Sequence, residues 1–487
     1  MQQLSGLDAA FLALESRTVT GHIGSVCIVD PSTAPEPLTL ERFTRVVESR
    51  LPLVPPMRRR LVEVPLGIDQ PYWIEDPDFD IEFHVRELAL PAPGSDQQLA
   101  EQAARLHARP LDRTRPLWEI YLIFGLQGGR VAIYSKVHHA AIDGVSGNEL
   151  LAALLDVSPE GRLMPEPRAR VGERQPSAVE LLARGAVSLA GSPLRVARLS
   201  LSLLRSAPVL ASSALPRLPL LDRLPGRDEE AIVSQPGLRA PPTPFNRSIT
   251  QHRRWAFSGL SLPEVKRVKN AYGVTVNDVV MALCAGALRR WLDDHDALPE
   301  VPLIAAVPVS VRTEAERGAL GNRVTMMLAV LPTQVASATK RLRVVHEAMR
   351  AAKEQHGALP ADLLADVTQF AMPALAGQAA RMAARLRLLE RAGLFNLIIS
   401  NVPGPNVPLY YAGAELLAYY PLSAITDGQG LNITVMSYRD SLYFGVIACR
   451  ELMPDVDRLT AYLGDELRAL TGSLDKPPPR RRKPRAR

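Results

Sequence analysis

Alternating and periodic hydrophobic positions fill two long parts of the chain, residues 1–160 and 245–475. In the first part, apolar residues alternate with others from Val131 to Val137, which is typical of a β-strand. Successive side chains of a strand point to opposite faces, so a strand that continued to the next two residues would turn His138 and His139 in opposite directions. Both parts mix such strands with periodic helical stretches, which predicts a chain made of two mixed α/β blocks.

The second part contains a helix and a hairpin that are visible in the pattern alone. Apolar residues follow the helical period after Asn277 and Asp278, and Thr275 stands at capping-box spacing from Asp278. Residues 431–438 and 441–448 alternate on either side of a short polar turn, which predicts two paired strands.

The segment between the two blocks has a different composition. Residues 158–250 hold 13 of the 42 prolines, which predicts a crossover and not a third domain. We therefore predict a first domain over residues 1–160, a crossover over 161–244, a second domain over 245–475 and a disordered tail over 476–487. Within the crossover, residues 177–205 are rich in Leu, Ala and Arg and predict two amphipathic helices divided by Pro193. Such helices lie on a membrane surface or pack on their own protein.

Charge and composition narrow the class of protein. The content is 47% hydrophobic and 22% charged residues, which excludes a disordered chain, collagen and a pure coiled coil. The net charge of +6 comes from the tail, because the last twelve residues carry seven basic side chains and residues 1–475 have a net charge of −1. The tail would contact anionic lipid, contact nucleic acid or remain solvated, and nothing else in the chain favours a nucleic-acid partner. The three cysteines are widely spaced and no secretory signal is visible, so we expect a cytoplasmic protein.

The strongest chemical pattern follows the strand that ends near His138 and His139. A tight turn with Asp143 and Gly144 comes next, and then a capped helix. Histidine is suited to general base catalysis near neutral pH, for example on a hydroxyl. Asp143 would orient a histidine or pair with an arginine, and Gly144 allows an unusual turn. A metal site lacks a clear third ligand, and no nucleophile-elbow, phosphate-loop or dinucleotide motif is present.

Several motifs together resemble a known family. The segment HHAAIDG at 138–144 is similar to the HHxxxDG motif of the CoA-dependent acyltransferase superfamily. Over about residues 1–470 the chain resembles one branch, the bacterial wax ester synthase/diacylglycerol acyltransferases. The motifs that carry this likeness are LSGLDAAFLALES at the N-terminus, Pro116-Leu117-Trp118, Asn277-Asp278, Pro308-Val309-Ser310-Val311-Arg312, Asn322-Arg323 and the Ser400–Pro405 segment.

The resemblance implies a fold and roles for residues. It implies two similar chloramphenicol-acetyltransferase-like domains, each a mixed sheet covered by helices, with a tunnel between them. It also implies His139 as the general base, His138 as its support, and Asp143 with Gly144 as the structural turn. We expect Arg312 to pair with Asp143. The remaining expected site residues either shape the substrate site or support it structurally: Asn277, Asp278 and Thr434 for the first role, and Pro116, Trp118, Ser400 and Asn401 for the second.

The same resemblance implies the reaction. A long-chain acyl group would pass from acyl-CoA to the hydroxyl of diacylglycerol or of a long-chain alcohol, with no metal or cofactor. The alternatives are an acyltransferase of polyketide type with a carrier-protein donor, and a lipid-binding or droplet-coating protein without turnover. Because both substrates are hydrophobic, we expect the protein to associate peripherally with the inner face of the membrane or with lipid droplets. The sequence does not determine the preferred acceptor, the acyl chain length or the oligomeric state.

Overall fold

A computed structural model describes residues 1–142, 152–162, 164, 173–190, 239–310, 324–357 and 393–474. Five predictions lie outside these residues. They concern the turn at Asp143 and Gly144, the start of the capped helix after it, the partner Arg312, the crossover beyond residue 190, and the basic tail.

The described part contains fifteen strands and nine α-helices. The strands are β1 (Gln2–Gln3), β2 (His22–Asp30), β3 (Arg59–Val62), β4 (Tyr72–Glu75), β5 (Val85–Ala89), β6 (Trp118–Phe124), β7 (Val131–His138), β8 (Arg253–Ser261), β9 (Leu303–Ser310), β10 (Val324–Leu331), β11 (Leu397–Val402), β12 (Tyr410–Tyr411), β13 (Ala414–Leu422), β14 (Leu431–Tyr438) and β15 (Ser441–Cys449). The helices are α1 (Gly6–Leu14), α2 (Leu40–Arg50), α3 (Ile81–His84), α4 (Asp96–His107), α5 (Ala178–Ala190), α6 (Leu262–Tyr272), α7 (Val276–Asp294), α8 (Ala338–Gly357) and α9 (Asp457–Leu474).

The first large sheet has the strand order β12-β13-β2-β7-β6-β5. The β5–β6 pair is parallel, and the other neighbours are antiparallel. Alternate residues of β7 feed two different cores, because Val131 and Ile133 face the α2 side whereas Ala132 and Tyr134 face the α4 side. Both faces of this sheet are therefore buried.

The second large sheet has the order β10-β9-β11-β14-β15-β8. In this sheet β11 runs parallel to β9 and β14, and the other pairs are antiparallel. Helices α7, α8 and α9 cover one face, where Ile433 and Val435 of β14 join their core. The opposite face, which carries Thr434, turns toward the first sheet. The mixed sheets covered by helices confirm the predicted fold class.

The first large sheet contains two strands that come from the second half of the chain. Strands β12 and β13 complete the first sheet, and β13 pairs with β2 from Asp30 to Gly24. The same β13 lies against β15 and β8, since Tyr443 Oη of β15 donates to Leu417 O at 2.8 Å and Trp255 Nε1 of β8 donates to Pro421 O at 3.3 Å. The sequence analysis did not predict that strands from residues 245–475 would join the sheet built from residues 1–160.

A smaller sheet and one helix complete the described structure. Strands β1, β4 and β3 form a three-stranded sheet, and α5 packs Leu181 into the small core beside Ile74. In the described residues no single helix is long and apolar enough to cross a membrane, although α6 and α7, bent by 103° at their junction, meet the length and composition criteria as a pair.

Several local predictions are confirmed. The capping box of Thr275 and Asp278 opens α7, and β14 and β15 form the hairpin. The three cysteines are buried. Strand β11 extends through Ser400 and Asn401, which pair with β14, and it ends at Val402.

Candidate active site

Strand β7 and the turn after it place the two histidines. The strand ends at His138, whose backbone N–H donates to Leu117 O at 2.9 Å. His139 opens a 3₁₀ turn that runs to Ile142, and its N–H donates to Gly21 O at 2.9 Å. The strand therefore does not continue through His139, and strand alternation does not decide where its ring points.

The His138 ring is held at both nitrogens. Its Nε2 lies 3.1 Å from Glu15 Oε1, and its Nδ1 accepts the N–H of Ala140 at 3.1 Å. A carboxylate accepts only, so this arrangement requires the proton on Nε2. The residue is 1% exposed. With both nitrogens engaged, His138 is poorly placed to take a proton from a substrate.

Glu15 is the residue that follows α1, and it collects several donors. Its Oε1 also accepts Gly21 N–H at 2.8 Å, and its Oε2 accepts Arg113 Nη2 at 2.6 Å and Nε at 3.2 Å. Burial alone would raise the pKa of this carboxyl, but the His138, Gly21 and Arg113 contacts outweigh burial and lower it from 4.5 to about 2. Glu15 is therefore ionised at neutral pH.

His139 lies in a more open position than His138. Its side chain is half-buried, and its ring stacks on Phe11 of α1 with centroids 4.3 Å apart. Helix α1 thus contacts both histidines, through a stacked ring at one and through the carboxylate after its last turn at the other. Among this pair, His139 is the one whose place suits a general base.

The Pro116-Leu117-Trp118 motif lies beside the end of β7 and bonds to its backbone. Leu117 O accepts the N–H of His138, as described above, and Pro116 and Trp118 are buried on either side. Trp118 Nε1 donates to Met57 O at 2.6 Å, and its ring stacks on His84 with centroids 4.4 Å apart. These contacts fix the backbone to which the end of β7 is bonded.

The expected site residues of the second half form two small groups. Asn401 Nδ2 donates to Asn277 Oδ1 at 3.1 Å, which ties the end of β11 to the start of α7. Asp278 is buried, and its carboxylate accepts Thr275 N–H at 2.8 Å, as part of the capping box of α7, and His346 Nδ1 at 2.8 Å. Capping accounts for its burial without a substrate contact.

The second group centres on Thr434. Ser400 is its register partner, and Thr434 Oγ1 donates to Asn432 Oδ1 at 2.9 Å. It also shares a hydrogen bond of 2.8 Å with Ser423 Oγ, from the segment after β13. Thr434 therefore lies where the two sheets meet, an orientation that the sequence did not fix.

A buried polar chain joins the histidine strand to this second group. His107 lies between Tyr134 Oη of β7, 3.1 Å from its Nδ1, and Ser423 O, 3.3 Å from its Nε2. Burial, and after it the charges of Lys136 and Arg253, lower the pKa of His107 to about 3. This histidine is neutral at physiological pH and serves as a hydrogen-bonded link between the two halves.

No group of three or more His, Cys, Asp or Glu side chains that could hold a metal ion occurs within the described ranges. The polar groups near the histidines are instead engaged with one another.

Comparison with known proteins identifies the family of this chain. The model of the wax ester synthase/diacylglycerol acyltransferase catalytic domain matches residues 4–280, and the C-terminal domain model of the same family matches residues 320–471. The chain belongs to this family. The suspected resemblance is confirmed, and His138 and His139 lie inside the part matched by the catalytic-domain model.

Relatives extend the family likeness over nearly the whole chain. A Mycobacterium tuberculosis protein with diacylglycerol O-acyltransferase in its name is 37% identical, over 98% of this chain and 92% of its own. The O-acyltransferase WSD of Acinetobacter baylyi is 32% identical over 98% of both. Among solved structures, the wax ester synthase/diacylglycerol acyltransferase of Marinobacter aquaeolei is 31% identical with a TM-score of 0.66, over 97% of this chain and 99% of its own.

A more distant likeness concerns the fold alone. The starter condensation domain of rhizomide synthetase is 14% identical with a TM-score of 0.53, over 97% of this chain and 94% of its own. This likeness shows that the two chains share a fold.

Sequence reasoning missed Glu15 and Arg113. The N-terminal segment is one of the motifs that carry the family resemblance, but the sequence alone gives none of its residues a place in the site. The available signal was an acidic residue at the end of an apolar helix, which by itself does not reveal a partner more than a hundred residues away.

Proposed function

We propose that this protein is an acyl-CoA-dependent O-acyltransferase that forms neutral lipid esters, with His139 as its general base. The observation that carries the proposal is the different state of the two histidines. His138 is buried with both ring nitrogens engaged, whereas His139 is half-buried on the turn inside the matched catalytic part.

The reaction follows from a base next to two bound substrates. His139 takes the proton of the acceptor hydroxyl as its oxygen attacks the thioester carbonyl of acyl-CoA. The tetrahedral intermediate collapses, the carbon–sulfur bond breaks, and the CoA thiolate receives the proton from the imidazolium of His139. An ester and free CoA remain. Base catalysis of this kind contributes about 10²–10⁴-fold, so alignment of the two substrates supplies much of the remaining rate.

The acceptor in this proposal is diacylglycerol or a long-chain alcohol. The family carries both activities in its description, and the relatives named above include a diacylglycerol O-acyltransferase. Proton transfer and ester exchange need no metal or redox cofactor, so we propose that acyl-CoA and the acceptor are the only small molecules required.

We also propose that the protein works at the inner face of the membrane or on lipid droplets. Helix α5 supports this because Val179 and Val187 are 74% and 75% exposed while Leu181 packs inward. Leu66 lies on the turn against which α5 packs and is 86% exposed. In this proposal these three exposed apolar side chains contact lipid.

The test is release of free CoA from palmitoyl-CoA by purified protein, with diacylglycerol, hexadecanol or no acceptor. We expect acceptor-dependent release that falls by about 10²–10⁴-fold in His139→Ala and by less in His138→Ala. A carrier-protein donor serves as the comparison arm for the polyketide-type alternative.

The outcomes separate the alternatives. A greater loss in His138→Ala than in His139→Ala would reassign the base. Folded protein that binds palmitoyl-CoA but releases no CoA with any acceptor would favour a lipid-binding protein. Faster release from the carrier-protein donor than from CoA would favour the polyketide-type enzyme.

A further inference from the structure

The carboxylate after α1 faces the buried side of the histidine pair. We propose that Glu15, held by Arg113, is a positioning residue that fixes His138 as its Nε2-protonated tautomer and thereby sets the turn that carries His139. The inference deepens the proposed function, on which it rests for the role of His139.

The hydrogen bonds of Glu15 run in one direction. Its two oxygens accept four of them, one from Gly21, one from His138 and two from Arg113. An ionised carboxylate accepts at both oxygens, so it meets all four donors at once. The Arg113 contacts hold Oε2, which leaves Oε1 aimed at the histidine.

The tautomer then decides what His138 does to the turn. With the proton on Nε2, Nδ1 is an acceptor, and it receives the N–H of Ala140 at 3.1 Å. Ala140 is completely buried, so its N–H has no solvent to bond with if Nδ1 carries the proton instead. The wrong tautomer would place two donors face to face and push the 3₁₀ turn away from the ring.

Gly21 ties both histidines to the same anchor. Its N–H donates to Glu15 and its carbonyl accepts from His139. A Cβ at this position would lie 2.7 Å from His138 Nε2, closer than real side chains approach, so the tight packing requires glycine. Through this one residue, a shift of the carboxylate is passed to the backbone of His139.

Glu15→Gln is the informative substitution because it keeps the shape and changes the donors. An amide accepts at one end and donates at the other, so it faces either Arg113 or the His138 and Gly21 side with the wrong group. Glu63→Gln is the matched control. Glu63 is 68% exposed, and it lies 3.6 Å from Arg113.

The experiment measures activity and tautomer on the same full-length proteins. Steady-state CoA release gives kcat and KM for palmitoyl-CoA. The ¹⁵N NMR spectrum of histidine-labelled protein reports the tautomer, with the His138 signal assigned by its loss in His138→Ala. We expect the wild type and Glu63→Gln to show the Nε2-protonated form. In Glu15→Gln we expect that signal to be lost or mixed, and kcat to fall by about 10–100-fold with KM changed by less than about threefold.

Two results would overturn the proposal. One is an Nδ1-protonated His138 in the wild type. The other is a folded Glu15→Gln protein that keeps both the wild-type tautomer and the wild-type kcat. If Glu15→Gln does not fold, Arg113→Met keeps the carboxylate but frees it, and an unchanged tautomer and kcat in that variant would likewise reject the idea. A wild type that releases no CoA contradicts the proposed function, whereas the tautomer measurement still tests Glu15.

Discussion

The place where β13 crosses β15 has almost no spare space, and Gly445→Ala tests how strongly the fold depends on it. Gly445 lies on the face of β15 that meets β13, opposite Thr434 in the register. A Cβ there would lie 1.8 Å from Pro421 O, whereas real Cβ contacts are essentially never shorter than 3.0 Å. The two backbones would therefore have to separate by about 1.2 Å.

The free-energy cost of that separation can be compared with the cost of adding a methyl group to a tightly packed core. Extra methyl groups in tight cores cost about 1–3 kcal/mol when side chains can yield. Here the obstacle is the backbone carbonyl of Pro421, in a strand that pairs with β2 at this position, and a paired backbone yields less than a side chain. We expect Gly445→Ala to lower the free energy of unfolding by about 3 kcal/mol or more. The Trp255 bond to Pro421 O and the Thr434 contact with Ser423 lie at the same crossing, so we also expect acceptor-dependent CoA release to fall.

Gly259→Ala in the neighbouring strand is the matched control. Its Cβ would meet only the Tyr443 ring at 3.4 Å, an ordinary contact, and the change carries the same loss of backbone freedom in the unfolded chain. Urea unfolding followed by tryptophan fluorescence gives the midpoint and slope for each variant. Equal midpoints for Gly445→Ala and Gly259→Ala would refute the tight crossing between the two sheets.

Two further predictions concern acid stability and lipid binding. Because folding lowers the pKa of Glu15 from 4.5 to about 2, its ionised form stabilises the fold, and this contribution is fully present above pH 4.5. This contribution is lost as the pH falls toward 2, so urea midpoints of Glu15→Gln should decline less than those of wild type over that range, and parallel curves would contradict it. Replacing Val179 and Val187 by Ser should reduce flotation with phosphatidylcholine vesicles containing diacylglycerol by at least about threefold, since both side chains are exposed. Equal flotation would exclude α5 as the lipid contact.

The local pattern of the sequence determined the elements around the site. Alternation of apolar and other residues predicted β7 and the β14–β15 hairpin, although both faces of these strands are buried in the fold. The Thr275 and Asp278 spacing predicted the start of α7, because the capping hydrogen bonds span three residues. The motifs at 138–144 and at Pro116–Trp118 identified the family before any contact was known. All of these signals lie within one element or one turn.

Only the tertiary structure decided the partners of these elements. Strand alternation placed the two histidines on opposite faces, but the 3₁₀ turn at His139 ends that rule, and α1 meets both rings. Glu15 bonds to His138 across 123 residues of chain, and no local period encodes such a distance. For the same reason, the sequence did not predict that β13, from the second half of the chain, pairs with β2 in the first sheet. The alternating pattern of a strand shows that one of its faces will be buried and that its edges will pair with other strands. Only the tertiary structure determines which sheet it joins.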